Sequence, residues 1–494
     1  MFNERVLNEA LRVANPVLER ARFLAIAFAN LDEFYMVRYS GLKRLVESGY
    51  NKMFSDGNYP SSLLEEMGAG IAKHKERIKK TYLEKILPEL SAQKIILKKI
   101  ENLNAEQKKF IKKYFETTVF PIVTPMAVDQ GHPFPVLGSK TTAFAVELTR
   151  YDKEYLAILP VPKILPKLIK LPSVKDEFHY MLLEDLIRFY MDNLFKGYKV
   201  AGSVLFRILR DSELYTDEEF APDLLKAIEV EVKKRSAAKI INLEAEKIQS
   251  ARLLDGLCAG LETAREDVEQ SDSVIDYTYL YELISQSGRP DLLYEQYMPA
   301  KIAYDNIFEK IKEANFITHL PYQSFYPTTD LIYSASRDPN VLAIKMTLYR
   351  ANDDSLIIKS LKEAAKNGKQ VTVLMEIKAR FDEERNIQFT KELEDSGCHV
   401  IYGLPNMKVH SKMTLIVRRE EGSIKRYVHL STGNYNEKTA RVYTDIGFFT
   451  CNDDFARDIS DLFNVITGYS MPQSWKRVVA APNDMRNYFY ELIN

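Results

Sequence analysis

From about Lys345 to Thr450, apolar runs bounded by turn residues alternate with amphipathic, helix-like segments, and that alternation admits few folds. The segments read VLAIKMTLYR, VTVLMEIKARFDEERN, HVIYGLPNMKVHSKMTLIV and RYVHLSTGNYNEKTARVYTD. The spacing predicts a βαβ-type sheet, with helices over Asp353 to Asn367 and Asp382 to Ser396, each starting near an Asp and ending near a Gly. Arg350, Lys378, Arg380, His410, Lys412, Asn434 and Asp445 then fall at strand ends. In open α/β sheets, binding crevices form where strands give way to loops.

The centre of the stretch is Val409-His410-Ser411-Lys412-Met413. Side chains two apart on a strand share a face. His410 and Lys412 are therefore expected on one side, with Val409, Ser411 and Met413 on the other. An imidazole nitrogen can attack phosphorus and hold the phosphoryl group covalently, and a neighbouring ammonium balances the charge on its oxygens. For an isolated His-x-Lys, two polar residues at a strand edge is the better reading. Here Ser431-Thr432-Gly433-Asn434 follows as a small polar turn after the next strand. That combination resembles the signature of the phospholipase D superfamily, although Val417 stands where the signature carries an Asp. Leu348-Tyr349-Arg350, the run from Lys378 to Glu384, the His-Ser-Lys segment and the run from Thr432 to Arg441 resemble, in order, the bacterial polyphosphate kinases that work through a phosphohistidine. The resemblance extends over nearly the whole chain.

The resemblance implies a multidomain α+β and α/β fold. Residues 1–91 would form a helical N-terminal domain, and 92–305 a mixed α+β head domain associated with dimer formation. Residues 306–494 would form a phospholipase D-like α/β catalytic domain. The family carries a further C-terminal α/β domain with a second such motif, and nothing here matches it. The expectation is a shortened chain, weak or inactive alone. The resemblance implies that His410 takes the phosphoryl group, with Lys412 and Asn434 at the catalytic centre and Asn30 and Tyr443 on ATP. Arg350 and Arg380 would lie at the phosphate and magnesium site, sharing phosphate oxygens with Mg2+, because a guanidinium cannot ligate a cation. ATP, ADP and polyphosphate are the implied small-molecule partners, and a homo-oligomer formed through the head domain is expected. Two rival readings remain: a phospholipase D-like phosphodiesterase, and a non-catalytic dimerising or scaffolding remnant of the kinase family.

At 494 residues the chain exceeds one hydrophobic core, and two to four domains are expected. Lys and Arg number 68 against 69 Asp and Glu. No global basic excess points to nucleic acid, so any anion site must be local. Cys258, Cys398 and Cys451 have no metal-type spacing, which suggests a reducing cytoplasm. The N-terminus is charged and amphipathic, unlike a signal peptide, and no apolar run reaches membrane-spanning length. Peripheral membrane association stays open.

Other residues have local readings. Leu24 to Val37 has helical spacing, which places Asn30 on a face with Ile26, Ala27 and Phe34; an Asn there is ordinarily a satisfied core group. Strands are expected over Thr142 to Leu148, Tyr155 to Leu159 and Ser203 to Ile208. A helix is expected over Thr216 to Arg235, with Thr216 and Glu219 in a capping-box pattern. His74 and His179, in charged surroundings, are expected at the surface, and His132 is expected to be structural. The segments around Gly131 to Thr141 and Asn367 to Gln370 lack the spacing of a phosphate loop. The plain reading of Arg350 and Arg380 is surface ion pairing, for instance Arg380 with Asp382 or Glu383. That of Tyr443 is a core aromatic, and that of His429 a buried structural histidine. Asp445 is placed to orient the His410 ring.

Overall fold

The computed structural model describes residues 2–174, 176–213, 223–352, 354–404, 407–468, 470 and 474–494. The chain divides into two units: Met1–Glu213 with Lys234–Glu295, and Leu214–Lys233 with Gln296–Asn494.

In the first unit the helix Val17–Phe34 buries Leu18, Leu24 and Phe28 against Ile78, Tyr82 and Tyr279. The predicted strands occur as Thr141–Arg150, Lys153–Pro160 and Lys199–Arg210. They lie in one six-stranded sheet, with Thr141–Arg150 antiparallel to both others. Most of their buried positions are apolar, such as Ala143, Phe144, Val146, Phe206 and Ile208, the usual content of a strand packed on a core, and Arg207 is a buried exception.

The expected surface positions of His74 and His179 are incorrect, since both are buried. In the helix Pro60–Thr81 the buried stripe runs Ile71, His74, Ile78, Thr81, which is helical spacing with His74 inside it. The charged neighbours that suggested exposure lie on the other faces. His74 Nδ1 is 2.5 Å from Glu4, and Asn3 is 2.9 Å from its Nε2. His179 sits in the buried strand Phe178–Leu182 beside Gln107, at 2.9 Å. His132 is exposed and pairs with Asp129.

The predicted capping residues Thr216 and Glu219 lie outside the described residues. The helix itself spans Leu224–Lys234, and its apolar face, Leu225, Ile228 and Val232, is buried in the core of the second unit, although the sequence put it in the middle region.

The second unit is built on a seven-stranded sheet. Its strands are β1 Phe316–Leu320, β2 Val341–Leu348, β3 Gln370–Met375, β4 His399–Ile401, β5 Lys412–Glu420, β6 Ser423–Ser431 and β7 Asp445–Thr450. The order is β1-β7-β6-β5-β2-β3-β4. β2, β3 and β4 are parallel and are joined by the helices Leu356–Lys366 and Glu383–Asp395, as the βαβ expectation requires. Asp353 lies outside the described residues. β5 instead runs antiparallel to β2, and a tight turn at Glu421-Gly422 returns the chain into β6, so the sheet is mixed. Ile344, Met346 and Val373 face one apolar layer, and Met413, Leu415 and Val428 face another that contains Ile459 and Phe463. At one edge of this sheet the ends of β2, β3 and β6 meet the starts of β5 and β7.

Candidate active site

His410 and Lys412 face the same way, as their spacing requires. Lys412 is buried, with Nζ 3.0 Å from His410 Nδ1, and it donates to the His410 carbonyl at 2.6 Å. Val409 and Met413 point into the opposite apolar layer, while Ser411 is exposed instead of joining them. Thr347 Oγ1 donates to the Ser411 carbonyl at 2.8 Å and accepts from Met413 N at 3.0 Å, which ties the start of β5 to the end of β2. The Tyr349 ring stands edge-on to the imidazole, with centroids 5.1 Å apart.

The electrostatics follow from crowding of positive groups. His410 is held below the pKa of a free imidazole by loss of solvent around the ring, then by the charges of Lys412 and Arg350. The ring is therefore neutral near pH 7, the form that has a lone pair to attack with. Burial pushes the Lys412 ammonium down to about 8; Asp445 opposes the shift and Arg350 adds to it.

Arg350 reaches the Arg380 segment, with Nη2 donating to the Arg380 carbonyl at 3.1 Å. Its Nε is 3.1 Å from Asp382, an ion pair too poorly angled to count as a hydrogen bond. Surface ion pairing is the plain reading of both arginines, and Arg350 meets it through Asp382. Phe381, next to Arg380, takes φ +70°, a left-handed conformation that costs a bulky residue about 1–2 kcal/mol. Such outliers gather at functional sites.

The turn after β6 is packed tightly. A Cβ on Gly433 would lie 2.5 Å from the Asp445 carboxylate, so only glycine fits. Asp445 accepts from Thr432 Oγ1 at 2.9 Å. The expectation that Asp445 orients the His410 ring is not met: His410 Nδ1 faces Lys412, and the Asp445 charge acts on Lys412. Asn434 Oδ1 is buried with no hydrogen-bond partner. A buried polar atom without a partner costs free energy, and this one is an acceptor that calls for a donor, not for a phosphate oxygen.

The remaining candidates separate. His429 is buried as expected, with Nδ1 2.8 Å from the Tyr435 hydroxyl, and burial pushes its pKa down to about 3. Tyr443 is 63% exposed, so it is not a core aromatic. Lys378 donates to the Leu404 and Met407 carbonyls at 3.3 and 3.0 Å. Lys369, in the false phosphate loop, donates to the Val341 carbonyl. Asn30 belongs to the first unit and is half-buried; its Nδ2 donates to Asn3 Oδ1 at 3.1 Å.

Sequence reasoning missed two carboxylates. Glu376, fully buried at the end of β3, accepts from Val409 N and Lys378 N. A charge inside the run Val371 to Ile377 was the available signal. Glu437 accepts from Asn352 Nδ2 at 2.6 Å and from Leu356 N at 3.1 Å, which caps the helix Leu356–Lys366 from the far side of the turn. No local pattern announces that pairing, because the partners are some 80 residues apart.

Among the described residues no group of three or more His, Cys, Asp or Glu could hold a metal ion.

Residues 1–98 match the family model described as polyphosphate kinase N-terminal domain, 106–283 the polyphosphate kinase middle domain, and 306–472 the polyphosphate kinase C-terminal domain 1. The chain is 44% identical to the polyphosphate kinase of an Exiguobacterium species, over all of this chain and 70% of that protein. It is 42% identical to that of Halalkalibacterium halodurans, over all of this chain and 72% of that protein. Among solved structures, the polyphosphate kinase from Porphyromonas gingivalis is similar over the whole chain and 72% of its own, with TM-score 0.80 and 27% identity.

Proposed function

The chain belongs to the polyphosphate kinase family, and we propose that it transfers the γ-phosphoryl group of ATP to inorganic polyphosphate, reversibly, through His410. The observation that carries the assignment to His410 is its contact with Lys412, 3.0 Å away at a sheet edge crowded with positive charge.

In the forward half-reaction a nitrogen of the neutral imidazole attacks the γ-phosphorus. The N–P bond forms as the P–O bond to ADP breaks, and ADP leaves with the electron pair. In the second half a terminal polyphosphate oxygen attacks the same phosphorus, and the N–P pair returns to the ring. Most of the catalysis of such a transfer is positioning and charge stabilisation. Lys412 supplies a buried ammonium, Arg350 and Arg380 offer bidentate forks to phosphate oxygens, and Asn434 is assigned a place at the catalytic centre, its amide N–H donating to a phosphoryl oxygen, on the strength of the family resemblance. Magnesium is read as the ion carried by the nucleotide, since guanidinium groups cannot ligate it, and no step is assigned to it. Asn30 and Tyr443 are each assigned a nucleotide contact on the strength of the family resemblance.

The domain limits 1–91, 92–305 and 306–494, and self-association through the middle region, belong to the same reading; sedimentation of the intact chain tests the latter. No helix among the described residues is long and apolar enough to cross a membrane. Use of ATP and three free cysteines favour the cytoplasm.

The test is direct. The purified chain is given ATP and Mg2+, and polymer and ADP are followed together. Polymer that forms from ATP and is consumed when ADP is added is the expected result. Absence of phosphoryl exchange in both directions contradicts the reading.

A further inference from the structure

Glu376 is the charged side chain of an otherwise uncharged run, Val371 to Ile377, with fully buried neighbours at Met375 and Ile377. Taking a carboxylate out of water is costly unless donors replace the water. Glu376 finds two main-chain donors: Oε2 accepts from Val409 N at 2.7 Å, and Oε1 accepts from Lys378 N at 3.1 Å.

The location of these donors gives the contact its meaning. Val409 precedes His410 and lies between β4 and β5, where the backbone pairing recorded among the described residues is the local bridge of Leu404 to Met407. The Lys378 ammonium grips the Leu404 and Met407 carbonyls of the same segment, and Lys408 Nζ returns to the Lys378 carbonyl at 3.0 Å. On the other side of His410, Thr347 holds Ser411 and Met413. The main chain of His410 is thus clamped before and after the residue, and the clamp before it centres on Glu376. A group that only stabilised the fold could be a neutral acceptor at a smaller desolvation cost. The charges of Lys378 and Lys408 act on this carboxylate as well, so the two lysines and Glu376 form one cluster under the segment that leads into His410.

We propose that Glu376 is a positioning residue for phosphoryl transfer, fixing the Val409 backbone so that the His410 ring faces Lys412 and the incoming phosphorus. The proposal rests on the reading of His410 as the phosphoryl acceptor.

Two variants test it in the full chain. Glu376→Gln keeps the volume but cannot accept from both amides with equal geometry. Glu376→Asp keeps the charge but is one methylene too short to reach both. Misplacing a reacting group by about 1 Å can cost on the order of 100-fold in rate. Labelling of the protein by γ-labelled ATP should therefore slow at least about 10-fold in both variants, with the KM for ATP within about twofold. NMR titration of His410 in the ligand-free chain should show its pKa rising towards that of free imidazole as the ring leaves Lys412. Wild-type labelling in both variants overturns the proposal. So does a loss that tracks only the folded fraction, read from thermal melts, with the His410 titration unchanged. If the wild-type chain takes no label at His410, the functional reading fails; the ligand-free titration still decides whether Glu376 sets the ring.

Discussion

Arg207 in the first unit and Lys412 in the second are both buried basic side chains on strands, and their surroundings differ in kind. The Arg207 guanidinium donates to both Asp32 oxygens, at 2.9 and 2.5 Å, and lies 3.7 Å from Asp276. Asp276 also pairs with Lys167; burial would raise its pKa, but Arg207 and Lys167 pull it down to about 2. Lys412 has an imidazole and a carbonyl as hydrogen-bond partners, with a further positive charge nearby at Arg350. A buried cation closed by carboxylates holds a fold together. One left without a carboxylate partner is costly in the empty chain, and phosphate would remove that cost.

The contrast can be broken at either end. The largest expected effect on stability is in the first unit. Asp32→Asn leaves Arg207 buried with Asp276 as its remaining counterion, which should cost up to about 3–5 kcal/mol. Denaturant unfolding measures it, and a loss below about 1 kcal/mol would mean that the pair is not closing the fold.

Arg350→Ala should do the reverse. Losing a charge-assisted fork weakens binding of a short polyphosphate by about 1.5–3 kcal/mol, readable by calorimetry. The ion pair with Asp382 is partly exposed, so its loss should move stability by no more than about 1 kcal/mol. Large destabilisation with unchanged binding would make Arg350 a structural residue like Arg207.

The smallest effect is a pH dependence. An unfolded Lys titrates near ~10.4, and Lys412 in the folded chain near about 8. The ammonium is therefore present below about 8 and lost above it, so affinity for phosphate anions should fall between about pH 7 and 9. Over about pH 8 to 10.4 the unfolded chain holds more protons, so the Lys412 contribution to folding stability rises with pH in that window. Lys412→Arg should flatten the binding profile; an unchanged profile would show that Lys412 does not set it.

Period-two alternation is visible in a sequence, and it placed the strands and turned His410 and Lys412 to one face. Strand direction is not visible in it. The antiparallel course of β5 depends on the chain after Ile401 returning along the sheet, which alternation does not encode. The stripe Ile71-His74-Ile78 was present in the sequence, but the charges around His74 obscured it. Asp445 and Glu437 were misjudged or missed because their partners are set by how turns stack, not by spacing along the chain. Glu376 was the nearest to being legible, since a charge within an apolar run demands a partner.

The central claim is that the unclosed positive edge of the second unit accepts a phosphoryl group on His410. The measurement is to incubate the intact chain briefly with γ-labelled ATP, quench in alkali and locate the label by mass spectrometry. An acid-labile phosphate on a nitrogen of His410, absent from His410→Ala, is the predicted result. Label on another residue, or label that persists in His410→Ala, would contradict it.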